Sequence, residues 1–165
     1  MKIGIIGDTH DHSGNIAKAI KIFNQQKVEY VLHTGDIAQP AAARQFAKLS
    51  GAKFIAVLGN CDNDRELIGE AIRDFGGEIY EESYTGQIGG KKIFMKHKLN
   101  SVEETAGSGE YDVVIYGHTH KQDVRKVGNT LVINPGQASG WWFSKSEVVV
   151  LELEDMSVET IGLKS

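Results

Sequence analysis

The chain has 165 residues, 41% of them hydrophobic and 24% charged, which is enough for one ordinary globular domain with a buried core. A net charge of −4 excludes a global basic field that would gather nucleic acid or an anionic membrane, so a strongly anionic partner needs a local positive site. Cys61 is the only cysteine, which excludes an intrachain disulfide, and the apolar run in MKIGIIGDTH is too short for a signal or a membrane span; a cytoplasmic protein is expected.

KIGIIG reads as a strand, followed by Ile16, Ala19, Ile20 and Phe23 at helical spacing. EYVLHTG is a second strand, and Ala42, Phe46 and Leu49 share one face of a second helix. AKFIAVLG is a third strand, with a third helix implied by Leu67, Ile68, Ala71, Ile72 and Phe75. This alternation predicts parallel strands joined by crossover helices. After Gly76-Gly77 the runs become strand-like: GEIYEE, YTGQIGG, KKIFMK, YDVVIYG, NTLVINPG, SEVVVLELE and SVETIGL. One helix interrupts them, and Ser101 with Glu104 fits a capping box at its start. The uninterrupted apolar runs IGII, FIAVL and VVIY need cover on both faces, which two sheets packed face to face with helices outside would give. The predicted class is α/β with a β-sandwich centre, as a single domain over residues 1–165. Linkers, charge blocks and internal repeats are not evident.

Polar residues recur where these strands end. Asp8-Thr9-His10 follows KIGIIG, Gly35-Asp36 follows YVLHT, Gly59-Asn60-Cys61-Asp62 follows FIAVL, His97 follows KIFMK, and Gly117-His118-Thr119-His120 follows VVIY. Functional residues of such sheets gather in loops at the carboxyl ends of strands. Asp8 and His10 are two apart, so in an extended segment both would leave the same side of the backbone and reach one ion; the same spacing applies to His118 and His120. The glycines before Asp8, Asp36, Asn60 and His118 allow tight turns and close approach. Each motif alone is weak, and a polar surface turn accounts for any of them. Together, imidazoles, carboxylates and an amide fit two borderline divalent ions with Asp36 between them. Two ions roughly 3.5–4 Å apart commonly serve hydrolysis by an activated hydroxide.

Asp-x-His, Gly-Asp, Gly-Asn-x-Asp, His and Gly-His-x-His, in that order on a β-α framework, resemble the calcineurin-like metallophosphoesterase superfamily. GDTHDH, GNCD, YDVVIYGHTH and INPG are similar to its small YfcE-type phosphodiesterase branch, over Met1 to about Val150. The resemblance implies a four-layer α/β/β/α sandwich, two mixed sheets flanked by helices, and a dinuclear metal centre. It assigns Asp8, His10 and His120 to one ion and Asn60, His97 and His118 to the other, with Asp36 bridging. It makes Asp36, Asn60 and His97 catalytic through a metal-activated hydroxide that hydrolyses a P–O ester. Two divalent cations against two carboxylates leave a positive cavity suited to a phosphate ester. Imidazole, carboxylate and amide donors suit manganese or nickel, with iron, cobalt and zinc as alternatives.

The chain departs from the family at two places. Cys61 stands where many members carry a histidine near the leaving group, and as a poor acid it favours slow turnover or good leaving groups. Relatives usually read His-Gly-His where this chain reads His97-Lys98-Leu99; Lys98 either contacts a substrate phosphate, beside Asn60, or repels metal from the second site. His12 either assists proton transfer or is a solvated loop histidine. His33 is expected behind Asp36, and Asp62 is expected to orient a ligand histidine or to be a plain turn residue. Asn134, Pro135 and Gly136 are expected to form a turn beneath the site. The aromatic stretch GWWFSKS reads first as core, with a subunit contact or a pocket wall as alternatives. The expected partner is a small phosphoester, with no membrane, nucleic acid only as a diester substrate, and a homo-oligomer as an option. The competing reading is a binding scaffold on the same fold with weakened metal binding. A metallo-β-lactamase pattern does not fit, since HTHKQD lacks its final histidine and comes late in the chain.

Overall fold

A computed structural model describes residues 1–141 and 145–163. Strands β1 (Lys2–Ile6), β2 (Tyr30–His33) and β3 (Lys53–Val57) alternate with helices α1 (Ser13–Gln26), α2 (Pro40–Gln45) and α3 (Arg65–Arg73), as the periodicity predicts. β4 (Glu78–Tyr80) extends this parallel set. β10 (Glu147–Glu152) and β11 (Ser157–Gly162) return antiparallel to its other side, giving the order β11-β10-β1-β2-β3-β4. β5 (Ser83–Ile88), β6 (Lys91–Lys96), β7 (Val113–Tyr116), β8 (Gln122–Val127) and β9 (Thr130–Pro135) form a second mixed sheet in the order β5-β6-β7-β9-β8. α4 (Val102–Gly107) lies between β6 and β7 in sequence.

Alternation along the strands builds the layers. Ile3, Ile5, Leu32, Ile55 and Val57 pack against Ile93, Met95, Val113, Ile115, Leu131 and Ile133 between the sheets. Their neighbours Ile6, Val31, Phe54 and Ala56 turn outward to Ile16, Phe23, Ile68 and Ile72 of the helices. On the far side Val114, Tyr116 and Val132 pack with Ala106 of α4, joined by Phe94, Leu99 and Val102. Both sheets are therefore covered on both faces, which is why their central strands read as unbroken apolar runs. The four-layer sandwich of two mixed sheets flanked by helices is as expected.

Local expectations fare less evenly. α4 starts directly after Ser101, but the Ser101 side chain makes no capping hydrogen bond. The helix opens instead on the backbone bond from Thr105 N to Ser101 O, so there is no capping box. The second helix stops at Gln45 and tightens into a 3-10 turn over Phe46–Lys48, leaving Leu49 half-buried. Leu67 was expected in the core and is 49% exposed, because Ile68, Ala71 and Ile72 already fill the inward face of α3. β8 has no counterpart among the predicted strands: QDVRKV is an edge strand in which exposed Gln122, Val124 and Lys126 alternate with half-buried Asp123, Arg125 and Val127. No helix among the described residues is long and apolar enough to cross a membrane.

Candidate metal centre

The loops after β1, β2, β3, β6 and β7 converge on one polar cluster. Asp8, His10, Asp36 and His97 are buried, His118 and His120 are half-buried, and Asn60 is exposed. The structure brings all seven candidate ligands together, though not by the expected backbone. Asp8, His10, Asp36, His118 and His120 all have φ between 40° and 69°, the left-handed region. The two-residue spacings thus lie on turns, not extended strands, and five non-glycine residues in that region are a concentration of strain typical of functional loops. The turns also separate His118 from His120, so those two do not converge on one point as the extended-segment argument required.

His120 Nε2 is 3.3 Å from His10 Nε2 and 3.2 Å from Asp8 Oδ1. His10 Nε2 is 4.0 Å from Asp8 Oδ1 and 3.7 Å from Asp36 Oδ2. One ligand atom from each of Asp8, His10, Asp36 and His120 falls within 4.8 Å of the others. A second set faces the first across Asp36, whose Oδ2 is 3.5 Å from His97 Nε2. His97 Nε2 and His118 Nδ1 lie 2.9 and 2.8 Å from Asn60 Oδ1. His118 N–H donates to Asp8 Oδ2, which ties the two sets together.

These atoms fit cations. His97 Nδ1 is 2.8 Å from the Thr34 carbonyl, a pure acceptor, so Nδ1 carries the proton and Nε2 offers a lone pair. That lone pair points at two oxygen acceptors, Asn60 Oδ1 and Asp36 Oδ2, an arrangement that repels unless a positive ion lies among them. Asp8 Oδ1 is buried with no hydrogen-bond partner among the described residues, although His120 Nε2 is close. Asp8 and Asp36 have no Lys or Arg ion-pair partner among the described residues, and buried carboxylates without a countercharge are costly.

The proton affinities agree with ligand chemistry. Burial lowers the pKa of His10 against the opposing pull of Asp36 and Asp8, and burial followed by the charges of His97 and Lys98 lowers that of His118. Both are neutral imidazoles at neutral pH, as ligands must be. The Asp8 carboxylate raises His120, whose proton a bound cation would replace. Burial, then the Asp36 carboxylate, pushes the Cys61 thiol up to about 11. Cys61 is therefore no thiolate nucleophile, and its backbone N–H donates to Asp36 Oδ1 at 2.8 Å.

Behind the ligands, the glycines set the approach of the loops. A side chain at Gly59 would overlap the Asp36 carboxylate, and one at Gly117 would stand 2.6 Å from Thr34 Oγ1 and 2.9 Å from Asp8 Oδ2. Asp62 corrects one expectation: it orients no histidine, and its carboxylate accepts the N–H groups of Asp36, Ala38 and Gly59 at 3.0, 2.7 and 2.6 Å. It fell to this task because two loops that expose amides toward each other need a shared acceptor. Asn134 and Pro135 end strand β9 and do not form the expected turn with Gly136, but Asn134 supports the site from below, donating to Gly117 O and Thr119 Oγ1. His12 is exposed and caps α1, its Nδ1 accepting from Asn15 N. Lys98 is exposed, while Leu99 packs into the α4 cluster, an apolar use for the position where the family resemblance implies a histidine.

His33 is fully buried behind the Asp36 loop. Its Nδ1 accepts from Gly35 N–H, so Nε2 carries the proton toward Thr9 Oγ1, and Thr9 in turn donates to Asp36 O. Burial, then the charges of His97 and His10, lowers its pKa to about 3. Between that value and the unfolded 6.5 the unfolded chain binds the extra proton, so stability is full above 6.5 and falls as pH drops, by about 1.4 kcal/mol per unit. Denaturant titration of the metal-free protein at pH 7 and pH 5 should show this loss, and His33→Asn, which keeps an acceptor for Gly35, should flatten the slope.

Two functional contacts had no signal in the sequence or an ambiguous one. The Thr34 carbonyl that fixes the His97 tautomer is backbone, which no side-chain pattern reveals. Trp141, in a stretch that reads first as core with a subunit contact or a pocket wall as alternatives, is 47% exposed, with its ring stacked on His10 at 4.2 Å between centroids and 18° between planes. Trp142 to Ser144 lie outside the described residues.

The model of the calcineurin-like phosphoesterase superfamily domain matches residues 1–156. The chain belongs to this superfamily. Within it, the chain is 40% identical to phosphodiesterase MJ0936 of Methanocaldococcus jannaschii, over 99% of this chain and 100% of that one. It is 25% identical to phosphodiesterase YfcE of Escherichia coli K12, over 84% of this chain and 80% of that one. A solved structure of an archaeal phosphodiesterase superposes with a TM-score of 0.93 at 39% identity, covering 98% of this chain and 99% of the other. As a calcineurin-like phosphoesterase of the small YfcE-type branch, the chain is a hydrolase of phosphoric esters that uses divalent metal ions, which accounts for the acceptor-lined cluster.

Proposed function

We propose that this calcineurin-like phosphoesterase is a phosphodiesterase working as one domain over residues 1–165. Asp8, His10 and His120 would hold one ion, Asn60, His97 and His118 the other, and Asp36 both. The observation that carries this assignment is the His97 lone pair facing Asn60 Oδ1 and Asp36 Oδ2, with Asp36 Oδ2 also 3.7 Å from His10 Nε2. Manganese or nickel suits this mixture of imidazole, carboxylate and amide. When bound, the two ions would supply an activated water and neutralise charge developing on the phosphoryl oxygens.

The remaining work falls to the chain. Asp36, pinned by the Cys61 N–H and backed by Asp62, keeps a fixed carboxylate between the two ligand sets. Asn60 is exposed at the mouth and is the ligand with an amide N–H group to offer an ester oxygen. Lys98, also exposed and close enough to lower the His118 pKa, contributes positive charge at the rim. The binding-scaffold alternative lacks support, because all seven candidate ligands are present in converging geometry.

Metal-stripped protein should leave bis(p-nitrophenyl) phosphate untouched and recover hydrolysis on addition of Mn²⁺ or Ni²⁺, followed by nitrophenolate absorbance. Full activity in excess chelator, or none with any divalent ion, would overturn the proposal.

A further inference from the structure

We propose that Trp141 is the specificity wall of this site, stacking on a planar aromatic group carried by the phosphoester. The inference rests on the phosphodiesterase reading above. Its starting observation is an indole that is 47% exposed yet lies flat on His10, a residue of the first ligand set. Tryptophan is seldom left this open unless one face supports the ring and the rest meets a partner. A phosphoester centred on the cluster would have its substituents passing the residues that rim His10, and among the described rings against His10 Trp141 is the exposed one.

The indole is also held in place, as a recognition surface must be. The loop that delivers it after β9 is fastened to the first ligand loop: Ala138 N–H donates to Gly7 O at 3.0 Å and Ser139 N–H to Asp8 O at 3.1 Å. Asn15 Nδ2 donates to Ala138 O at 2.7 Å, anchoring the loop to α1. Inside the loop, buried Gln137 donates through Nε2 to Trp141 O and accepts from Ser139 Oγ. His10 is fixed from its other side by the edge of His120, 5.2 Å away at 66°. Among the described residues, these contacts tie the Trp141 loop to the first ligand loop and to α1.

The test uses manganese-loaded protein and calorimetric binding of phenylphosphonate against methylphosphonate, which share a head group and differ in the ring. The wild type should bind the phenyl ligand roughly tenfold or more tightly, the size of one ring-on-aromatic stack. Trp141→Ala should bring that ratio near one, and Trp141→Phe should restore most of it. A parallel preference for adenosine 5′-monophosphate over ribose 5-phosphate identifies the ring as a nucleobase; a preference confined to the phenyl pair identifies an aryl ester. No phenyl preference in the wild type, no binding of either ligand, or an equal weakening of both in Trp141→Ala with ions lost per chain, overturns the proposal. Failure of the phosphodiesterase reading would appear separately, as manganese-loaded wild type that hydrolyses no diester whatever its binding preference.

Discussion

Asp36→Asn should abolish diester hydrolysis and weaken the hold on both ions. The two oxygens of Asp36 have different tasks: Oδ1 accepts the Cys61 N–H at 2.8 Å, while Oδ2 lies 3.7 Å from His10 Nε2 and 3.5 Å from His97 Nε2. An amide has one oxygen. If it serves Cys61, an NH₂ donor occupies the position that both ligand sets share. If it faces the ligands, NH₂ opposes the Cys61 N–H, and an unsatisfied buried donor costs about 1–3 kcal/mol. Either orientation also removes a negative charge that would face both cations. The expected fall in kcat/KM is at least 10²- to 10³-fold by the order of magnitude of losing one charge-stabilising group, with fewer than two ions per chain by elemental analysis. The metal-free variant should be no less stable than the metal-free parent, since an uncompensated buried charge has gone. Two ions retained with an unchanged rate would remove Asp36 from the shared position.

The sandwich was legible because its central strands bury both faces and so carry unbroken apolar runs, and because α1 repeats Ile16, Ala19, Ile20 and Phe23 at the period of a helix. β8 was not, because Gln122, Asp123, Arg125 and Lys126 are edge-strand residues with little to bury. The candidate ligands were legible as residue types at strand ends, yet the stated reason for their convergence was wrong: left-handed turns at Asp8, His10, His118 and His120 aim them, not the two-residue repeat of a strand. A left-handed non-glycine residue leaves almost no trace in sequence, since its cost is met by contacts made elsewhere in the fold. The placement of Trp141 is hidden from the sequence for a related reason. A tryptophan beside other aromatics suggests core, and only the loop path after β9 puts its ring on His10.

Asp62 shows how that cost is met, and Asp62→Ala should be the most destabilising single change among the residues around the site. Its carboxylate, 1% exposed, is the common acceptor for Asp36, Ala38 and Gly59 N–H groups drawn from two loops. Asp36 and Ala38 are themselves left-handed, so their amides cannot return to the β-ladder and have this carboxylate as their acceptor. Alanine would orphan all three; at about 1–3 kcal/mol each, with bonds to a charged acceptor at the upper end, the loss is a large part of an ordinary domain's 5–15 kcal/mol. Thermal unfolding of the metal-free protein should fall by roughly 10 °C or more. Asp62→Asn separates the contributions. Asp36 N and Gly59 N share Oδ2 while Ala38 N uses Oδ1, so an asparagine oxygen placed at Oδ2 keeps two of the three bonds. Its destabilisation should be well under half that of alanine. Because the same carboxylate ties the loop of Asp36 to the loop of Asn60, both variants should also weaken the metals in the same order. Equal losses from alanine and asparagine would mean that the charge of Asp62, not its hydrogen bonds, holds the two loops together.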